Sequence, residues 1–142
     1  MRKPIASLMV VGLLLLAACS TGGEVEPGPV TSFEDIAGTY SASFSDEGQG
    51  SSQPVYFHFF EDGTITRSTS RDLVEDRPSS ITEVRFEGTK VFLTETKGVC
   101  DDDPNAIYEI HLLENGNLQF VLIEDMCAIR SSLPGGEFKP VP

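Results

Sequence analysis

The chain has 142 residues, enough for one small domain, and a formal net charge of -12. So acidic a balance argues against nucleic acid and anionic lipid surfaces as partners. Nine Phe and three Tyr suffice for a core without Trp.

Met1–Lys3 is a short basic start, and Ile5–Ala18 is an apolar run broken only by Ser7 and Gly12. The run is too short for an ordinary transmembrane helix and fits the h-region of a signal peptide. It ends Leu16-Ala17-Ala18-Cys19, which resembles the lipobox of bacterial lipoproteins. That resemblance implies a signal peptide over 1–18, cleavage before Cys19, and a diacylglycerol on its sulfur. Multiple acyl chains such as palmitate then anchor the protein stably to a lipid bilayer. Ser20 at the second mature position implies the outer membrane where a cell has two. Loss of Arg2 and Lys3 leaves 8 basic against 22 acidic side chains, a net of -14.

A Gly/Pro/Glu tether without periodicity follows Cys19 and is expected to run over 19–31, ahead of a folded domain at 32–142. A flexible coil of this kind spans roughly 20 Å. Thr31 or Ser32 can cap one helical turn at Phe33–Ala37. Strands are predicted at 38–45, 55–60, 64–70, 81–87, 90–96, 106–113, 117–124 and 137–141.

The hairpin 106–113/117–124 carries the clearest pattern. A type I turn at Glu114-Asn115 with Gly116 left-handed pairs Leu113 with Asn117. Leu112 then opposes Leu118, Ile110 opposes Phe120, and Tyr108 opposes Leu122. All six fall on one apolar face, and a one-residue slip would scramble the sorting.

Three Gly turns, at Gly63, Gly88 and Gly116, alternate with longer connections at 46–53, 71–80, 97–105 and 125–136. In a meander, all the tight turns then share one end and all the long loops the other. The expected fold is all-β: a single eight-stranded antiparallel up-and-down barrel, which removes exposed edges. The chain here resembles the lipocalins and lipocalin-like bacterial lipoproteins. Gly38-Thr39-Tyr40 stands where lipocalins have Gly-x-Trp, and Tyr108–Arg130 has the aromatic strand, the Asn-Gly turn and the Asp125–Arg130 end. Tyr replaces Trp, and the usual C-terminal helix has no counterpart. The resemblance also implies an Arg at the barrel floor. Arg130 on the ring of Tyr40 is one placement, and a surface Arg near the long loops is the other.

With Cys19 lipidated, Cys100 and Cys127 remain as an even pair in an exported domain, which reads as a disulfide. Both lie just past the open end of the hairpin. Asp101-Asp102-Asp103 lacks EF-hand spacing and reads as a solvated loop rather than a Ca²⁺ site. His58 and His111 read as structural. No nucleophile elbow is present, so neither a catalytic residue, a metal ligand nor a cofactor is assigned and no enzymatic activity is expected.

Phe57, Phe59, Tyr108, Ile110, Leu112, Phe120 and Leu122 are the expected interior residues. Barrels of this size either fill with side chains or hold one small ligand. So many inward rings favour filling. Two functions fit: an anchored extracytoplasmic module, monomeric, that binds a small apolar ligand at the long-loop end, or an interaction module, such as an inhibitor of an envelope hydrolase, that uses the same loops.

Overall fold

The computed structural model describes residues 26–43, 53–100, 102–130, 133 and 136–142. The signal segment, Cys19 and most of the 46–53 connection lie outside them. Nine strands follow in order: β1 Gly28–Pro29, β2 Gly38–Ser43, β3 Pro54–Phe59, β4 Thr64–Ser68, β5 Ser80–Glu87, β6 Lys90–Lys97, β7 Asn105–Leu112, β8 Leu118–Asp125 and β9 Glu137–Pro140. Strands β2 to β9 each pair antiparallel with the next, and β9 also pairs with β2. The result is a closed eight-stranded antiparallel barrel.

The β7–β8 hairpin has the expected register. Leu112 faces Leu118, Ile110 faces Phe120 and Tyr108 faces Leu122. The Leu113 N–H donates to Asn117 O at 2.8 Å, and Gly116 adopts φ 80°. Asn115 Oδ1 accepts from the Asn117 N–H, fixing the turn from its own side chain.

Leu122 corrects the interior assignment, because it is 42% exposed. A bulge at Ile107/Tyr108 interrupts the β7–β8 ladder beside it. On its other side β9 pairs with β8 only at Leu118 and Gln119. Beyond Phe120, β8 therefore has no neighbouring strand there among the described residues. Leu112 is half-buried against the core, while Phe57, Phe59, Tyr108, Ile110 and Phe120 are buried.

The barrel is floored at its tight-turn end. Ser32 caps a 3₁₀ turn over Phe33–Asp35, its hydroxyl accepting from the Glu34 N–H. This turn inserts Phe33 beneath the barrel, 5.0 Å from the Phe86 ring and 6.2 Å from the Phe59 ring. Tyr40 meets Phe59 edge-on at 5.2 Å, and Phe138 joins Phe57 and Phe120 at 4.9 and 4.8 Å. Such pairs add stabilisation beyond their buried area. The turn at Gly63 closes against the same plug. Its φ is +89°, and an added Cβ would stand 3.0 Å from Val84 O.

The folded part begins earlier than position 32. Gly28 and Pro29 pair with Leu112 and His111, and the Val30 N–H donates to Ile110 O. Val30 is buried in the core. A Gly/Pro-rich stretch carries no period by which such a short pairing could be read.

Candidate functional site

Alternation along the strands sends Val55 and Phe57 of β3, Ile65 and Arg67 of β4, Ser80 and Thr82 of β5, and Leu93 of β6 to the barrel interior. Toward the long-loop end these side chains do not meet. They line, with Phe120, a cavity of about 540 Å³. Its rim is formed by Val99, Cys100, Ala128, Ile129 and Leu133, from the loops that follow β6 and β8. The interior thus divides in two. The floor half is packed with rings, and the mouth half is open, where inward rings had favoured filling throughout. The volume falls within the usual range for small-molecule sites.

Of the expected interior residues, Phe57 and Phe120 line this cavity. Phe59, Tyr108 and Ile110 belong to the packed core, with Leu112 half-buried against it. Sequence reasoning passed over Ile65, Arg67 and Leu93. The signal for two of them was present. The tight turn around Gly63 sets Ile65 opposite Phe59 and Arg67 opposite Phe57, so both share the inward face.

Cys100 and Cys127 are joined by a disulfide, with 5.7 Å between their Cα atoms. It ties the loops after β6 and β8 together at the rim. Beside it, Arg130 is 6% exposed and sits neither at the floor nor on the surface. Its Nε and Nη2 donate to the two carboxylate oxygens of Asp125 at 2.8 and 2.9 Å. Its remaining donors reach the carbonyls of Asp103, Pro104 and Asn105 at 2.8 to 3.0 Å. The guanidinium fork therefore collects three successive carbonyls at the entry to β7 onto a carboxylate at the end of β8.

Two further donors complete this knot. Tyr108 Oη donates to Asp125 Oδ2 at 2.5 Å, and the Cys127 N–H donates to Oδ1 at 2.9 Å. Burial works to raise the Asp125 pKa. The hydrogen bonds from Arg130, Tyr108 and Cys127, with the charge of Arg130, outweigh it and hold the carboxyl below its usual value. Burial, then the hydrogen bond to Asp125, push the Tyr108 phenol far above its usual value. The Asp125–Arg130 pair escaped sequence reasoning because it joins the end of β8 to the irregular segment after it, where no period sets the approach of the two side chains.

His58 and His111 serve the barrel wall. His58 Nδ1 lies 2.8 Å from Thr39 Oγ1 and 3.6 Å from Glu75, and His111 Nε2 lies 3.1 Å from Glu109 Oε2. Asp101 lies outside the described residues, and the Asp103 N–H closes a turn onto Cys100 O. Comparison with protein-family models, with curated proteins and with solved structures returns no match.

Proposed function

We propose that this chain is a membrane-anchored, extracytoplasmic, lipocalin-like lipoprotein that binds a small, largely apolar ligand in the mouth of its barrel. The observation that carries the reading is the cavity of about 540 Å³ walled by Val55, Phe57, Ile65, Leu93 and Phe120. An apolar concavity with a few polar groups is the general form of a small-molecule site. A filled interior would have left no room for one. The anchoring half rests on the sequence Leu16-Ala17-Ala18-Cys19 behind a basic start and an apolar run.

A second reading, protein interaction through the rim, is favoured by a separate observation. Val99, Met126 and Ile129 on the mouth loops are 58%, 75% and 56% exposed. The disulfide and the Arg130 knot hold these loops in place, so a partner would bind a rim already ordered.

Native mass spectrometry of the exported chain separates the two. A reproducible small-molecule adduct that is lost on unfolding supports the ligand reading, and a bare chain mass throughout counts against it. The anchor is tested by metabolic labelling with radioactive palmitate, which is expected to mark the chain and to spare Cys19→Ser. Label in the Ser variant would overturn lipidation at this position.

A further inference from the structure

We infer that the ligand is an amphiphile with an anionic head, and that Arg67 is the group that receives it. This rests on the cavity reading and narrows its ligand class.

Among the described residues, three charged side chains line the cavity: Arg67, Glu95 and Arg130. Two are already engaged. Arg130 is held by Asp125 and three carbonyls, and Glu95 accepts the Cys100 N–H at 2.7 Å. The Arg67 guanidinium has neither an ion pair nor a hydrogen bond with any described residue. A guanidinium presents five donors in a planar fork that fits a carboxylate or a phosphate. Here the fork lines a mainly apolar chamber, with those donors unspent on any described residue.

Its position suits a head group. Arg67 lies one residue from the mouth end of β4, opposite Phe57 on one side and Ser80 on the other. Ile65, Leu93 and Phe120 line the same chamber and offer an apolar wall to a chain below the head. The backbone beneath Arg67 is fixed, because Ser79 donates both its N–H (2.8 Å) and its hydroxyl (2.9 Å) to Arg67 O. The cation is therefore carried on a clamped strand and does not swing with a loop. The chain as a whole is strongly acidic, so its general field repels anions. Selection of an anionic head must come from a local donor, and Arg67 is the one available.

The test uses the chain beginning at Ser20, which keeps every residue of the barrel. Binding of laurate, dodecyl phosphate and dodecanol is measured by titration calorimetry below micelle-forming concentrations. At least one of the two anions is expected to bind about 10- to 100-fold more tightly than the alcohol, the range of a charge-assisted hydrogen-bonded pair. Preference for laurate assigns a carboxylate head, and preference for dodecyl phosphate assigns a phosphate. Arg67→Met is expected to erase the preference, read as the ratio of anion to alcohol affinity, and Arg67→Lys to restore part of it. A far-UV circular dichroism spectrum matching the parent chain reports that Arg67→Met is folded. An alcohol that binds as tightly as both anions, or an anion affinity unmoved in Arg67→Met, overturns the role of Arg67 but leaves the cavity reading standing. Failure of all three amphiphiles to bind overturns both.

Discussion

Asp125 and Arg130 meet edge to edge at the barrel mouth, with two hydrogen bonds of 2.8 and 2.9 Å between side chains that are 0% and 6% exposed. Each would be costly to bury alone. The pair fastens the 103–105 loop to the segment leaving β8 within a few residues of the disulfide. The rim thus has one covalent and one ionic fastening.

Removing the carboxylate should expose the cost of the cation. Asp125→Leu leaves the buried guanidinium without its counter-ion and is expected to lower stability by about 3–5 kcal/mol. Asp125→Leu with Arg130→Met removes both charges and should recover a large part of that loss. Urea denaturation of the two variants beside the parent chain measures both effects. A double variant as unstable as the single one would show that the three loop carbonyls, not the charge, dominate.

The same knot gives the protein two pH limits. The folded Asp125 pKa lies below its unfolded value, so its stabilisation is complete above about pH 4 and is lost as the pH falls through the depressed folded value. The Tyr108 pKa is raised, so its contribution is complete below about pH 10 and is lost as the pH rises beyond. Melting temperatures across the pH range should therefore fall at both ends. Asp125→Asn should flatten the acid limb, and Tyr108→Phe the alkaline one.

Replacing both Cys100 and Cys127 by Ser should cost roughly 3–4 kcal/mol, the entropy of closing a loop of about 28 residues in the chain-constraint model. The far-UV spectrum should keep its β character, since every strand pairing survives. The Arg130 fork should still hold the rim, so ligand affinity should drop less in this variant than in Asp125→Leu. Calorimetric titration of both variants with one ligand makes the comparison.

The floor is separable from the mouth. Phe33→Ala opens a void among Phe59, Phe86 and the Gly63 turn, and is expected to cost about 3–5 kcal/mol. Phe33 does not line the cavity. Binding stoichiometry should stay unchanged at temperatures where the variant is folded.

Where the sequence had a period, it could be read. The β7–β8 register followed from six alternating apolar residues and one Asn-Gly turn, and the closed barrel from the alternation of tight and long connections. Leu122 departs because its burial depends on β9, and the length of β9 is not encoded in β8. The pairing of β1 and the salt bridge at the mouth depend on single residues in irregular chain or at a strand's last position, where neither alternation nor spacing carries information. The division of the interior also escaped. Ring count along the strands does not tell at which level the rings gather, and here Phe33, Tyr40 and Phe59 gather at the floor.

The pairing of Gly28 and Pro29 with Leu112 and His111 fixes where the chain joins the barrel, beside the turn at Gly116 and on the floor side. With lipid at Cys19, as proposed, the leash would enter from this side. Under the proposed anchoring the closed base would rest toward the bilayer, and the cavity would open away from it. Cargo would be handed over on the side that faces other molecules of the envelope. Drawing it from the anchoring membrane itself would require the domain to roll over on its leash.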